Sequence, residues 1–120
     1  MAVSIEEFSK ALKSLNEALS LPKNDIVRDA SIQRFEFCVE LAWKTAKKQM
    51  GSASSAPKQV IREMAQAGLI DDVNFWFDAL EGRNESSHTY NEPVAEKVYA
   101  FAQKFLPVAK VLELKLKSIP

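Results

Sequence analysis

Residues 24–51 read NDIVRDASIQRFEFCVELAWKTAKKQMG, and the fold turns on how this stretch folds. Asn24 or Asp25 can cap a helix and Gly51 can end one. Between them Ile32, Phe35, Val39, Ala42, Trp43 and Ala46 keep helical spacing, yet the apolar side chains fall on more than one face. Such a helix belongs in the middle of a bundle, where it touches several neighbours and has surface left for a second subunit.

On its N-terminal side, Ser4 and Glu7 have capping-box spacing. Ile5, Phe8, Leu12, Leu15 and Leu19 then recur every three or four residues, which predicts an amphipathic helix ending before Pro22. On the C-terminal side, residues 52–56 make a linker. Ser55 and Pro57 start a short helix that holds Val60, Ile61 and Met64 and closes at Gly68. Asp71 or Asp72 caps the next, with Phe75, Trp76, Ala79 and Leu80 as its apolar positions. Asn91-Glu92-Pro93 opens a last helix striped by Val94, Val98, Phe101, Phe105, Val108, Leu112 and Leu116, in which Pro107 is expected to make a kink or break. Five helical segments without strand alternation predict an all-α protein. The expected architecture is a single domain over residues 1–120, an antiparallel four-helix up-and-down bundle with one short accessory helix. Trp43 and Trp76 read as core or interface anchors, and Arg34 as a residue facing a cleft.

Composition narrows the function. Sixteen basic residues balance sixteen acidic ones, so the molecule lacks the overall positive charge of a protein that grips nucleic acid through many phosphates, and any RNA contact must be local. With one His and one Cys there is no His/Cys metal-ligand spacing, and no cofactor-binding pattern is present. Cys38 sits among Phe35, Phe37 and Val39 and has no intrachain partner, which fits a reducing compartment. The chain shows neither a signal-peptide pattern nor a membrane-length apolar run, so a cytoplasmic location is expected.

The apolar periodicity is interrupted by Arg83-Asn84-Glu85-Ser86-Ser87-His88-Thr89-Tyr90. On one continuous helix Arg83 and His88 would lie about 140° apart around the axis, poorly placed to act on one group. A break between them is therefore expected, and Ser86 and Ser87, whose hydroxyls compete for backbone partners, are the places for it. Such a junction gathers a guanidinium, an amide, an imidazole and a phenol, a set suited to a phosphodiester. Arg83 can hold phosphate bidentately, and His88 can act as base or acid near neutrality. Metal-free cleavage by a ribose 2′-hydroxyl needs both a base and an acid, and a symmetric dimer would bring the second His. The plain alternative is that His88 caps a helix end and Arg83 pairs with Glu81 or Glu85.

Arg83-Asn84-x-x-x-His88-x-Tyr90 resembles the signature of HEPN domains, small helical bundles that dimerise around such a motif. With Arg34-Phe35-Glu36, Glu40-Leu41-Ala42-Trp43-Lys44 and Gly68-Leu69-Ile70-Asp71, the chain resembles the nucleotidyltransferase substrate-binding protein family over nearly its whole length. The resemblance implies a homodimer joined in a hetero-oligomer to a separately encoded minimal nucleotidyltransferase. It also implies a metal-independent ribonuclease toxin for which that enzyme is the antitoxin. It casts Arg83, Asn84 and His88 as catalytic, with Arg83 polarising the scissile phosphate, Asn84 orienting it and His88 transferring protons. Tyr90 becomes the acceptor of adenylyl groups, whose negative charge beside Arg83 would repel RNA. The chain lacks a Gly-Ser loop with paired metal-binding aspartates on a strand, so it is not itself a nucleotidyltransferase. Two other readings stay open: a non-catalytic nucleotide- or substrate-binding subunit of the nucleotidyltransferase complex, and a purely structural helical dimer.

Overall fold

The computed structural model of the chain describes residues 4–119; residues 1–3, the start of the stretch expected to carry no signal-peptide pattern, lie outside them. Five α-helices follow one another: α1 (Ile5–Leu19), α2 (Asp25–Met50), α3 (Pro57–Gln66), α4 (Val73–Glu85) and α5 (Glu92–Lys117). A 3₁₀ turn, Ser86–His88, separates the last two, and no strand occurs among the described residues. The expected all-helical bundle is the observed one, with α3 as the short member.

Local chemistry sets most of the boundaries. The Glu7 N–H donates to Ser4 Oγ at 3.2 Å, Val27 N–H to Asn24 Oδ1 at 2.8 Å, Phe75 N–H to Asp72 Oδ1 at 3.0 Å and Val94 N–H to Asn91 Oδ1 at 3.3 Å. Gly51 ends α2 in the left-handed region, at φ 66°, which a residue without Cβ enters freely. The start of α3 corrects the reading of Ser55. Ala56 occupies the cap position and offers no side-chain acceptor, while Ser54 Oγ instead takes the Ala56 N–H at 3.1 Å. Pro57 sets the first helical turn.

Pro107 is also corrected in part, because α5 continues through it without a break. The ring removes the hydrogen bond to the Gln103 carbonyl, but both residues are exposed, so water can take the freed acceptor.

α2 packs against each of the other four helices, as its two-faced apolar pattern implied. Phe35 lies at its centre, fully buried, with Phe105 edge-on at 5.2 Å and Phe101 at 5.8 Å between ring centroids. Trp76 of α4 meets Phe105 at 5.4 Å and Phe75 stacks on Phe101 at 5.0 Å, so aromatic rings clamp α4 and α5 onto α2. Truncating Phe35 to Ala would cost about 3–5 kcal/mol. Gly82 exists where it does because of this ring: a Cβ there would stand 3.2 Å from Phe35 Cζ.

The bundle also holds a cluster that local spacing does not reveal. Arg28 is buried at the start of α2, where Nη1 donates to Glu92 Oε2 at 2.6 Å and Nε to Asp29 Oδ1 at 3.1 Å, while Lys23 Nζ donates to Glu96 Oε1 at 2.9 Å. These contacts pin the N-terminal end of α5, and with it the far side of the 3₁₀ turn.

Candidate functional site

α4 carries Arg83 and Asn84 in its last turn and stops at Glu85, where the serines turn back on it. Ser86 Oγ lies 2.6 Å from the Arg83 carbonyl, Ser87 Oγ donates to the Asn84 carbonyl at 3.2 Å, and Thr89 Oγ1 donates to the Ser86 carbonyl at 3.2 Å. The Ser86 N–H also donates to the Arg83 carbonyl, so the chain tightens into a 3₁₀ turn at the helix end and the hydroxyls add further donors to its last carbonyls. Asn91 N–H closes the corner on the His88 carbonyl at 3.1 Å, and the Asn91 side chain then starts α5. The break expected between Arg83 and His88 is there, at the serines.

The corner lifts two rings into solvent. His88 is exposed and Tyr90 is 85% exposed, with the ring centroids 6.1 Å apart and nearly edge to face. Tyr90 is among the most exposed large side chains of the molecule, although a phenyl ring of that size ordinarily finds cover.

Arg83 points the other way, onto α2. Its Nε lies 2.7 Å from Glu40 Oε1, as a charge pair in which the N–H is not aimed along the contact. Glu40 is a shared acceptor, because Lys44 Nζ stands 3.2 Å from its Oε2 and Trp43 Nε1 donates to its Oε1 at 3.4 Å. One turn earlier on α2, the Glu36 carboxylate accepts the Ser86 hydroxyl. The single hydroxyl proton serves either Glu36 or the Arg83 carbonyl, so Ser86 ties the turn to both helices. Neither Nη group of Arg83 makes a hydrogen bond to the described residues, so their N–H donors remain available to an anion.

The site therefore has two halves. Arg83 sits with Glu40, Trp43 and Lys44, and His88 sits with Tyr90; no hydrogen bond, ion pair or ring contact joins Arg83 to His88 within one chain. Asn84 is exposed beside them. Neither Glu81 nor Glu85 pairs with Arg83, and Glu85 binds Lys97 at 3.0 Å instead. Arg34 does not face this cleft; its Nη1 donates to the Ser14 carbonyl of α1 at 2.7 Å. Glu36 and the Arg83 contact of Glu40 escaped the sequence reading, although both residues stand in the blocks that carried the family resemblance. Among the described residues no group of three or more His, Cys, Asp or Glu side chains is placed to hold a metal ion, and no helix among them is long and apolar enough to cross a membrane.

Residues 3–118 match the model of a family described as nucleotidyltransferase substrate binding protein like. A curated relative, the Probable ribonuclease HepT of Haemophilus influenzae, is 34% identical over 102 residues, spanning 78% of this chain and 70% of its own. Two solved structures share the fold. One, a protein of Thermus thermophilus, has a TM-score of 0.85 at 29% identity and covers 92% of this chain and 98% of its own. The other, from Haemophilus influenzae, is described as revealing the fold of a substrate binding domain of a nucleotidyltransferase. Its TM-score is 0.84 at 27% identity, covering 95% of this chain and 99% of its own.

Proposed function

This chain belongs to the nucleotidyltransferase substrate binding protein like family, and we propose that it acts as a HEPN-type ribonuclease toxin, held in check by adenylylation of Tyr90. The observation that carries the proposal is the 3₁₀ corner after α4, which sets His88 and Tyr90 side by side in solvent while the Nη groups of Arg83 make no hydrogen bond to the described residues. The name of the Haemophilus influenzae relative, a probable ribonuclease, supports the same chemistry.

In this reading two chains pair so that two Arg83/His88 sets face one RNA strand. One His88 takes the proton of a ribose 2′-hydroxyl as its oxygen bonds to phosphorus. The other gives a proton to the leaving 5′-oxygen as the P–O5′ bond breaks. Arg83 stabilises the charge that grows on the phosphoryl oxygens, and Asn84 orients them. Glu40 acts through Arg83: by holding Nε it turns the two Nη groups outward.

Control falls to Tyr90 and a partner nucleotidyltransferase. Its phenolic oxygen attacks the α-phosphorus of a nucleoside triphosphate, pyrophosphate leaves, and the phenolic proton goes to solvent or a base of that enzyme. The added phosphate stands next to His88 and competes with RNA for Arg83. The test is co-expression with the cognate nucleotidyltransferase followed by intact mass measurement. Added adenylyl groups that vanish in Tyr90→Phe, with RNA cleavage restored by that variant, are expected; an unmodified wild-type chain contradicts the control step.

A second reading is a non-catalytic substrate-binding subunit of the nucleotidyltransferase. The pairing of Arg83 with Glu40, and its separation from His88 within one chain, favour it, as does the description of the Haemophilus influenzae structure. Wild-type protein that binds the nucleotidyltransferase yet leaves RNA intact would select it.

A further inference from the structure

Gly68-Leu69-Ile70-Asp71 carried part of the family resemblance, yet these residues lie at the opposite end of α4 from Arg83 and take no part in the site above. Leu69, Ile70 and Asp71 border a cavity of about 290 Å³ that opens between the α3–α4 link and the C-terminal half of α5. Leu69, Ile70, Trp76 and Leu112 make its walls apolar, and Asp71 stands on its rim. The other charged groups there are already engaged: Asp72 caps α4, and Lys115 Nζ donates to the Gly68 carbonyl at 3.2 Å. Asp71 alone is exposed and has no hydrogen bond or ion pair among the described residues.

The apolar lining does not stop at the mouth. It runs out along α5 onto Val111, 50% exposed, and Leu114, 67% exposed, with Pro107 exposed on the same stripe. From Pro107 to Leu114 the stripe is about 10 Å long. That is more surface than a ligand filling the cavity would cover, and a patch of large apolar side chains continuous with a pocket is how protein interfaces are built. Asp71 and Asp72 against the single cation of Lys115 leave the lining net negative, which disfavours a phosphate-bearing ligand and favours a cation.

We infer that this cavity is a docking socket for a protein partner that inserts an apolar side chain and sets a basic one against Asp71, and that the partner is the nucleotidyltransferase. The inference rests on the partner half of the function proposed above and not on its ribonuclease half. Socket and modification site are then separate. α4 is about 20 Å long, so an enzyme anchored at one end of it has Tyr90 within the width of one small domain. Docking away from the tyrosine leaves the phenol free to enter the enzyme's own active site.

The experiment is calorimetric titration of the full-length chain with the purified cognate nucleotidyltransferase, using wild type, Val111→Asp and Asp71→Lys. Both substitutions are at exposed positions, and circular dichroism checks that the fold is kept. Each should weaken binding by about tenfold or more while leaving the oligomeric state of the chain alone unchanged. Wild-type affinity in both variants overturns the socket. So does loss of the chain's own oligomer with nucleotidyltransferase binding intact, which would make this face a contact between copies. If wild type itself fails to bind the nucleotidyltransferase, the partner reading falls first and takes the socket with it.

Discussion

Arg83 of α4 and Glu40 of α2 meet at 2.7 Å, through the guanidinium nitrogen that lies nearest the chain. Because Glu40 takes the Nε edge, the contact orients Arg83 without using the Nη pair that a phosphate would occupy. Glu40→Ala should therefore lower RNA cleavage by about tenfold to a hundredfold, since a misdirected guanidinium no longer meets the phosphate in line. Both side chains are about 30% exposed, so thermal unfolding should register a loss of only about 1 kcal/mol. Glu40→Gln keeps an acceptor for Trp43 and should fall between wild type and Glu40→Ala in cleavage assays.

Gly82 precedes Arg83 and rests against the fully buried ring of Phe35. Alanine in place of glycine ordinarily steadies a helix by up to about 1 kcal/mol. Here the new methyl would stand 3.2 and 3.3 Å from two ring carbons that Phe101 and Phe105 hold in place. Overpacking of that kind costs about 1–3 kcal/mol. Gly82→Ala should thus be destabilising on balance in denaturant unfolding, and a stabilised variant would show that the ring can move.

The cluster around Arg28 makes stability depend on acid. The hydrogen bond from Arg28 holds the Glu92 carboxyl below its usual range, and the one from Lys23 does the same for Glu96. A carboxyl with a depressed pKa in the folded state contributes stability above the unfolded value of about 4.3, and that contribution disappears as pH falls through the folded value. The melting temperature of wild type should fall on acidification below about pH 4. Arg28→Met should melt lower than wild type at pH 7, and the gap should narrow at pH 3. An equal gap at both pH values would mean that Arg28 acts by packing alone.

Cys38 is fully buried against the core, and burial pushes its thiol up to about 12. The thiolate is the reactive form, so alkylation at pH 8 should be at least about a hundredfold slower in native protein than in denaturant. The sign for stability is the reverse of the carboxylates. The folded state keeps a proton that the unfolded chain gives up near about pH 8.5, so stability declines as pH rises from there toward the folded value. Fast labelling under native conditions would contradict the buried placement.

Much of the fold was legible because the residues that start and stop helices work locally. Ser4, Asn24, Asp72 and Asn91 each accept a backbone N–H three residues on, and Gly51 adopts the one conformation its neighbours would resist. The same local chemistry put the break at Ser86 and Ser87. Misreadings came where distance in space decided. Ser55 has cap chemistry, but the chain gives the cap position to Ala56; Pro107 is exposed, so solvent can reach the carbonyl whose bond it removes. Arg28 finds Glu92 from another helix, and Arg34 finds a carbonyl of α1. The partner of Arg83 was missed for the same reason: neighbours on α4 offered two carboxylates, and the tertiary fold supplied a third from α2.

The central claim is that Arg83 and His88 cut RNA, and it is tested most directly by cleavage of a single-stranded RNA by the purified wild-type chain beside Arg83→Ala and His88→Ala. His88 is exposed on a short turn, so its replacement should leave the melting curve unchanged. Wild type should cut, and each variant should be slower by about a hundredfold or more. Intact RNA with wild type, or cleavage that survives in His88→Ala, would contradict the account.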